Sequence, residues 1–379
     1  MQLYIFNPEH DLALANGNPY FDVPRSAKQF STDLAALPLW YAEPNSLIFC
    51  TKQLWQIPML TQNKTIDIIP HNISEVIPWG WNNMICNKLS HLGMQANLLP
   101  NDILLSKIRQ QSHRKLASKA AAFLQQKMPE MPNPAKVLTT LESVRKFATE
   151  HEEIVLKSPW SGSGKGLYWC RKKLTASLEG WCHRIIAKQG CVMGEVAYNK
   201  IVDFAMEFKC NKKGDICFAG YSLFHTENGI YKNNILADNT TIEDNLTHYI
   251  SSETLHTIKT LLMQFFTENL SNYSGYFGVD MLIFKRIDGS FGIYPTVEIN
   301  LRMTMGMVAR LFYDRFVVDG TQGEMRIDHI TENGNLLADD ADKKIKYPLT
   351  IIENRIQKGY LSLCPITEGT HYRACVIIH

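Results

Sequence analysis

The sequence predicts an α/β segment followed by a longer α+β region. In the first 110 residues, short apolar runs alternate with helical stretches, as at LYIF (3–6), SLIFC (46–50) and IDIIP (66–70). Strands separated by helices favour a parallel, Rossmann-like sheet. From residue 112 the composition shifts to helix formers, and after residue 190 long alternating strands dominate. We therefore expect a domain boundary near residue 110.

Composition and charge indicate an ordinary globular protein. The chain has 379 residues, of which 45% are hydrophobic and 20% charged, which is enough for large cores and two or three domains. Its net charge of +2 creates no field that would attract nucleic acid or anionic lipid. No signal-peptide pattern opens the chain, and no run approaches about 18 apolar residues. We expect a cytoplasmic protein without nucleic-acid or membrane partners, and a homo-oligomer is compatible with the sequence.

The cysteines and histidines carry no metal or disulfide signature. The nine cysteines include no C-x-x-C pair, and the twelve histidines include no H-x-x-x-H spacing. These spacings would be expected for a zinc site or a redox motif. We therefore expect reduced and mostly buried thiols.

A glycine-rich loop follows one predicted strand. Residues 154–167 read IVLKSPWSGSGKGL, which places Lys157 at the end of an apolar run and three alternating glycines after it. A Walker loop requires serine or threonine after its lysine, but here Lys165 is followed by glycine. The dinucleotide-binding fingerprint also fails, because no helical pattern begins directly after the glycines. Taken alone, this loop is explained by a plain surface hairpin as well as by a wrap around an anion.

A predicted hairpin in the C-terminal half carries side chains that present oxygen. Glu298 and Asn300 are two residues apart on one strand, so they project from the same face. Asp280 on the preceding strand would complete a set of hard oxygen ligands of the kind that magnesium prefers. A simple two-residue turn at 288–289 would put Asp280 and Glu298 on opposite faces. A magnesium site therefore requires an odd loop or a one-residue bulge, and Pro295 is the expected position of such a bulge.

Arg302 lies on the same face as this oxygen set if the strand continues. Its guanidinium could hold a transferred phosphoryl group or a carboxylate through two hydrogen bonds. For an isolated E-x-N-x-R pattern, the alternative is an exposed, salt-bridged strand end. Two more carboxylates, Asp203 and Glu207, share one face of the strand predicted over 200–210.

The sequence also predicts three helices from local signals. Thr139 and Glu142 have capping-box spacing at the start of one helix. A second helix is predicted over about 175–189 and should end at Gly190. A long amphipathic helix is predicted over roughly 252–270.

Taken in order along residues 112–315, these features resemble the ATP-grasp superfamily. The resemblance implies an ATP-grasp fold, with two α+β subdomains that clasp ATP, preceded by a Rossmann-like pre-ATP-grasp domain. The implied domains are 1–110, 111–190 with a glycine-rich lid, and 191–379 with a magnesium site and a C-terminal extension. The resemblance rests on Lys119 in a helix-opening S-K, Lys157 with SGSGKG, the strand CVMGEV, and the set Asp280, Glu298, Asn300 and Arg302.

The resemblance also implies a role for each matching residue. Lys119 and Lys157 would bind the phosphates of ATP. Glu195 and Val196 would offer backbone groups to the adenine, and Asp203, or Glu207 on the same face, would accept the ribose hydroxyls. Arg302 and Lys157 would act in catalysis, and Mg²⁺ would be held by Asp280, Glu298 and Asn300. The lid would consist of Ser161, Gly162, Ser163, Gly164, Lys165 and Gly166.

Substrate contacts are expected from less specific segments. In FNPEHDLALANG, His10 and Asp11 follow a strand at the carboxyl edge of the sheet, where open α/β sheets bind ligands. An Asn-Pro turn with a capping aspartate is the alternative. Residues 78–83, with Trp79, Trp81 and Asn82, form either a substrate wall or ordinary packing. The polar stretch 222–234 contributes His225, Lys232 and Asn233 as further candidates.

The function implied by the resemblance is an ATP- and Mg²⁺-dependent ligase. A substrate carboxylate would be activated as an acylphosphate and then attacked by an amine or a thiol. A small-molecule kinase on the same scaffold is one alternative. A nucleotide-binding regulator without turnover is another.

Overall fold

The computed structural model describes residues 1–51, 55, 57, 59–161, 166–171, 173–227 and 230–379. Its strands form a parallel sheet of four strands, an antiparallel sheet of four strands and an antiparallel sheet of nine strands. Within the residues described, no helix combines the length and the apolar character needed to cross a membrane.

The N-terminal segment forms the predicted parallel sheet, with strand order β3-β2-β1-β4. Polar residues follow the first strand and open a short helix at the carboxyl edge of the sheet. The strand expected at 66–70 is wrong, because the chain bends at 67–68 and the Ile68 side chain is exposed. The elements are β1 (Gln2–Ile5), α1 (His10–Asn16), α2 (Arg25–Asp33), β2 (Leu47–Phe49), β3 (Lys64–Ile66), β4 (Glu75–Pro78), α3 (Asn83–His91) and α4 (Asp102–Gln111).

The next segment forms the small antiparallel sheet, with strand order β5-β8-β6-β7. The helix predicted to end at Gly190 does so, with that glycine in the left-handed conformation that favours it. The cap of the preceding helix was predicted one residue too early, because Thr140 and Ser143 form the capping box. The elements are α5 (Lys115–Lys127), β5 (Lys136–Leu138), α6 (Leu141–Glu150), β6 (Glu153–Lys157), β7 (Leu167–Arg171), α7 (Ala176–Gln189) and β8 (Val192–Val196), so this sheet extends past the boundary expected at 190.

The remainder of the chain forms the large sheet, with strand order β13-β12-β9-β10-β11-β14-β17-β16-β15. The helix expected at 252–270 spans 252–269. The elements are β9 (Lys200–Cys210), β10 (Ile216–Glu227), β11 (Ile230–Leu236), α8 (Asn239–Thr247), α9 (Ser252–Asn269), β12 (Gly275–Lys285), β13 (Phe291–Asn300), α10 (Met305–Phe316), β14 (Gly323–His329), α11 (Asn335–Lys346), β15 (Thr350–Ile352), β16 (Arg355–Ser362) and β17 (Tyr372–Ile378).

The large sheet separates an apolar face from a polar face. Along β9, Phe204, Met206 and Phe208 are fully buried in the core that includes α9. Because side chains alternate along a strand, Asp203 and Glu207 project from the opposite face, as predicted. The apolar layer therefore supports a polar surface on which the functional residues lie.

Replacing Phe266 with alanine is expected to destabilise this support. Phe266 is fully buried on α9, and its ring centroid lies 4.8 Å from that of Phe277 on β12. Truncating a buried phenylalanine typically costs about 3–5 kcal/mol of the free energy of unfolding. Urea denaturation measures this loss. Ile287→Ala, at the exposed hairpin tip, is the control and should change stability by less than about 0.5 kcal/mol; equal midpoints for the two variants would contradict the packing described.

Candidate active site

The candidate site lies in a cleft where the small sheet, the large sheet and the N-terminal segment meet. Its walls come from α1, from the loop after β6 and from the end of β13. The cavity is lined by His10, Asp11, Leu14, Ser112, Pro159, Trp160, Ser161, Glu298, Ile299, Asn300 and Leu301.

The β12–β13 hairpin brings the predicted oxygen ligands together. Three residues, 287–289, separate Arg286 from Ser290 at the turn, so the loop is odd. Further along the hairpin, residues 295–297 stand opposite Met281 alone, so the strand gains two residues at Pro295 and not the one residue predicted. An insertion of two residues leaves the face unchanged, so the odd loop sets the face. With both features present, Asp280 lies directly opposite Glu298. The two carboxylates therefore share one face, as a magnesium site requires.

The chemistry of this set fits a magnesium ion. Burial, and then the charge of Glu298, raise the pKa of Asp280 to about 7. The Asn300 amide donates a hydrogen bond of 3.1 Å to Asp280. In the part of the chain that the structure describes, no three His, Cys, Asp or Glu side chains are grouped to hold a metal ion. The set therefore consists of two carboxylates and one amide. Magnesium typically binds one or two carboxylates and takes water and substrate phosphates as its other ligands.

Glu207 is a third carboxylate beside this set, but it is enclosed. Both of its oxygens accept a hydrogen bond from the Thr304 hydroxyl, at 2.9 and 3.0 Å. Burial, and then the charge of Asp280, raise the pKa of Glu207 to about 8. A side chain at Gly306 would lie 2.3 Å from its Oε1 atom, so only glycine fits there. Since Glu207 is only 1% exposed, the geometry does not support it as the alternative ribose contact.

Replacing Glu207 with glutamine is expected to flatten the pH dependence of stability. The pKa of Glu207 is about 8 in the folded protein and about 4.3 in an unfolded chain. Between these values the folded state binds more protons, so the free energy of unfolding falls as pH rises, by up to about 1.4 kcal/mol per pH unit from this group. Urea midpoints from about pH 5 to pH 8 measure the slope. Glu179→Gln, which alters an exposed carboxylate, should keep the wild-type slope; an unchanged slope in Glu207→Gln would refute the prediction.

Asp203 is partly exposed and bonded to two neighbouring side chains. It accepts hydrogen bonds from the Thr226 hydroxyl at 2.5 Å and from Lys200. Its position on the face shared with Asp280 is compatible with the predicted ribose contact, which stays a prediction.

Lys157 connects the two antiparallel sheets. Its ammonium nitrogen lies 2.6 Å from a carboxylate oxygen of Glu195 on β8. It also donates a hydrogen bond of 3.4 Å to the Val297 carbonyl on β13. Lys157 is 5% exposed, so its charge is held inside the site. The contacts of Glu195 and Val196 with adenine stay predictions.

Arg114 belongs to the site and was not predicted. It directly precedes α5 and is 7% exposed. One terminal nitrogen donates to the Ser158 carbonyl at 2.5 Å and the Ser161 hydroxyl at 2.8 Å, and the other donates to Glu298 at 2.7 Å. Its signal in the sequence is weak, since a single arginine before a helix usually lies on the surface.

Lys119, which was predicted as a phosphate ligand, is not brought to this cluster. Its side chain is exposed on α5. Five residues after Arg114, it points about 140° away around the helix axis, because each residue turns the helix by about 100°. The geometry therefore favours Arg114 over Lys119 as the cation of this helix.

The base of the predicted lid is closed by backbone contacts. Ser158 N donates a hydrogen bond of 2.9 Å to the Gly166 carbonyl. Gly166 has a φ of 84°, and a side chain there would lie 2.2 Å from the Ser158 hydroxyl, so glycine is required. The predicted lid residues between these ends, Gly162, Ser163, Gly164 and Lys165, lie outside the described residues.

The N-terminal segment contributes Asp11 to the site through an ion pair. Arg302 holds the two oxygens of Asp11 in a fork, with its Nη2 2.7 Å from Oδ2 and its Nε 3.1 Å from Oδ1. Although burial opposes ionisation, the charge and hydrogen bonds of Arg302 keep the pKa of Asp11 below its usual value. Arg302 Nη2 also donates to the Asn300 amide oxygen at 3.1 Å. This pair joins the first residues of the chain to the end of β13.

His10 is a buried, neutral neighbour of the site. Its Nδ1 atom lies 3.0 Å from the Asn82 amide nitrogen. Since the Asn82 oxygen caps α3 at Ile85 N, the amide donates to the histidine, which leaves the ring proton on Nε2. Burial lowers the pKa of His10 to about 4. Trp79 packs against Phe6, as in the packing alternative.

The polar candidates on β10 and β11 are not brought to the carboxylates. Phe224 pairs with Asp203 and so shares its face, which puts His225 and its partner Asn233 on the other face. Asn233 donates a hydrogen bond to Glu324 at 2.9 Å. The substrate role predicted for Asn233 is therefore not supported. Lys232 forms an exposed ion pair with Glu227 and keeps its role only as a prediction.

No family model matches the sequence, and no curated protein is significantly similar to it. Solved structures do match its fold. N5-carboxyaminoimidazole synthetase from Staphylococcus aureus, complexed with ADP, matches with a TM-score of 0.52 at 9% identity, covering 100% of this chain and 93% of that one. The biotin carboxylase domain of Hydrogenobacter thermophilus 2-oxoglutarate carboxylase matches with a TM-score of 0.53 at 10% identity, covering 100% and 86%. Biotin carboxylase from Campylobacter jejuni gives a TM-score of 0.51 at 11% identity, covering 100% and 87%.

These matches define the class of fold. The chain has the ATP-grasp fold with a Rossmann-like N-terminal sheet, which confirms the predicted fold class. At such low identities the likeness defines the fold alone and not the reaction.

Proposed function

We propose that this protein is an ATP-dependent ligase that joins a carboxylate to an amine or a thiol. The observation that carries the proposal is the convergence of Lys157, Arg114 and Arg302 on the end of β13, where Glu298 lies opposite Asp280. Cations on one side and hard oxygen ligands on the other are what a triphosphate with its magnesium ion requires.

The proposed ATP site is assembled from both antiparallel sheets. Lys157 and Arg114 would contact the phosphates, with the loop 161–166 closing over them. Glu195 and Val196 would meet the adenine edge and Asp203 the ribose hydroxyls. Asp280, Glu298 and Asn300 would hold Mg²⁺, which supplies positive charge to the transferring phosphoryl group.

The reaction needs no protein nucleophile. An oxygen of the substrate carboxylate attacks the γ-phosphorus, and the bond to the bridging oxygen breaks with release of ADP. The amine or thiol then attacks the acyl carbon, phosphate leaves with the electrons of the carbon–oxygen bond, and the attacking group loses its proton. Catalysis would come from alignment and charge neutralisation by Lys157, Arg114 and Arg302.

Arg302 is the residue that would receive the substrate carboxylate or the transferred phosphoryl group. In the structure its three nitrogens donate to Asp11, Asn300 and the Met303 carbonyl, so a substrate carboxylate would take the place of Asp11. A bidentate arginine is the usual partner for carboxylate and phosphoryl groups. His10 next to it is neutral and so adds no competing charge.

The structural neighbours support the same choice of reactants. One was solved with ADP, and another with MgADP and the bicarbonate anion. Bicarbonate therefore belongs among the carboxyl substrates to test, together with small organic acids.

ADP release across a panel of carboxylates, with and without amines or thiols, tests the proposal. A ligase releases ADP and phosphate and forms a new amide or thioester when both substrates are present. A stable phosphorylated product without any acceptor would favour the kinase. Nucleotide binding without ADP release across the panel would favour the regulator and contradict the proposal.

A further inference from the structure

We propose that Arg114 makes this site select a divalent cation as its nucleotide complex, in preference to the free cation. The inference rests on the proposed nucleotide site and adds a selectivity to it. Arg114 acts as an internal counter-ion that occupies the metal-binding carboxylate until phosphates take its place.

The contacts of Arg114 assign it to two partners at once. Its Nη2 atom lies 2.7 Å from Oε1 of Glu298, which is the carboxylate opposite Asp280. Its Nη1 atom is bonded to Ser158 and Ser161 at the base of the lid. One guanidinium thus joins the metal-binding strand β13 to the segment that follows β6.

The Arg114 side chain also has a donor without a partner. Its Nε atom is buried and makes no hydrogen bond within the described residues. A buried N–H left unpaired costs free energy, so such atoms usually mark a strained or ligand-binding position. An anion that lay against this edge of the guanidinium would satisfy it.

The ion pair competes directly with a metal ion for Glu298. A cation bound by Glu298 and Asp280 would share its carboxylate oxygens with a guanidinium at hydrogen-bond distance. At that distance the metal ion and the guanidinium repel each other strongly, because little water screens charges in a partly buried site. Free Mg²⁺ must therefore either bind against the charge of Arg114 or displace Arg114 from Glu298, and both cost free energy.

A nucleotide removes this obstacle. Its phosphates offer Arg114 a new anionic partner, including for the unpaired Nε atom, and so release Glu298 for the metal. By linkage, the same free energy works in both directions, so metal binding also strengthens nucleotide binding. Lys157 cannot play this part, because its carboxylate partner is Glu195 and not a metal ligand.

The variant Arg114→Gln, which removes the charge, is expected to raise the affinity for Mn²⁺ alone and to lower the affinity for ADP alone. Without this guanidinium, Arg302 remains as the neighbouring cation but Glu298 has no direct counter-ion, so Mn²⁺ alone should bind about tenfold more tightly. ADP without metal should bind about tenfold more weakly, because a phosphate contact is lost. Arg114→Lys keeps the charge and should stay near the wild type for Mn²⁺ alone. Arg145→Gln breaks the exposed pair with Glu179 and serves as the matched control, with no change in either affinity.

Mn²⁺ and ADP binding to the full-length protein provide the readout. Free Mn²⁺ is followed by electron paramagnetic resonance and ADP by calorimetry, each with and without the other. If Arg114→Gln weakens both ligands or leaves Mn²⁺ binding unchanged while the wild type binds MnADP, the inference is overturned and the proposed function survives. If Arg114→Gln does not fold, Arg114→Lys decides: weaker Mn²⁺ binding than in the wild type overturns the inference. Absence of ADP binding in the wild type, with and without metal, overturns the proposed function itself.

Discussion

Glu298→Gln is expected to remove ATP turnover while the protein stays folded. Glu298 lies opposite Asp280 and completes the oxygen set for the metal, and it pairs with Arg114. Glutamine keeps the shape but loses the charge, so both the metal and the guanidinium lose their partner. Loss of one such electrostatic contact typically lowers kcat by about 10²- to 10³-fold. Steady-state ADP release at saturating ATP and magnesium measures the effect.

The fold of this variant should survive with some loss of stability, because Arg114 loses the charge of Glu298 but keeps its hydrogen bonds to Ser158 and Ser161. The Glu298 side chain is 26% exposed, and its backbone remains in the β12–β13 ladder. Circular dichroism and the urea midpoint verify this. Glu179→Gln is the matched control, since Glu179 also pairs with an arginine but on an exposed helix. Full activity in Glu298→Gln would refute the metal assignment.

The sequence predicted best where periodicity and turn chemistry act locally. The strand expected over 200–210 has these bounds, because strict alternation of large apolar and polar side chains fits only a half-buried strand. The alternation of side chains along each strand also constrained the register of the β12–β13 hairpin. Opposed carboxylates at Asp280 and Glu298 demanded an odd loop or a one-residue bulge, and the structure has the odd loop, whereas the irregularity at Pro295 adds two residues.

Contacts between distant segments could not be predicted from local signals. The Asp11–Arg302 fork joins residues 291 positions apart, and no periodic pattern reports which surfaces meet across such a separation. Arg114 was missed for the same reason, since its burial depends on the loop after β6 and on β13. Lys119 resembled the family pattern in spacing, but helix rotation turns it away from the cluster.

The remaining errors came from shifts of a single residue. In a strand, one residue decides the face, so Asn233 points away from the carboxylates although its neighbour Asn234 bonds with the buried Ser222. At the start of α6, Thr139 and Thr140 are adjacent, and only the backbone conformation selects the second as the cap. The amino-acid composition does not show which of two adjacent residues faces the site or caps the helix.

Lys157→Met is expected to remove ATP turnover and to destabilise the protein at the same time. The side chains of Lys157 and Glu195 are 6% and 9% exposed, with 2.6 Å between their charged atoms. Removing one member of a buried pair leaves an uncompensated charge and typically costs about 3–5 kcal/mol of the free energy of unfolding. The single variant therefore cannot separate a phosphate contact from a structural role.

The double variant Lys157→Met, Glu195→Gln makes that separation. With both charges gone, most of the lost stability should return, because no buried charge remains unpaired. The phosphate contact would still be missing, so kcat/KM should stay about 10²- to 10³-fold below the wild type. The control is Arg171→Met, Glu153→Gln, an exposed pair at 3.2 Å on the same sheet, which should change neither stability nor activity. Wild-type turnover in the stable double variant would mean that Lys157 only neutralises Glu195, and the phosphate role would pass to Arg114 alone.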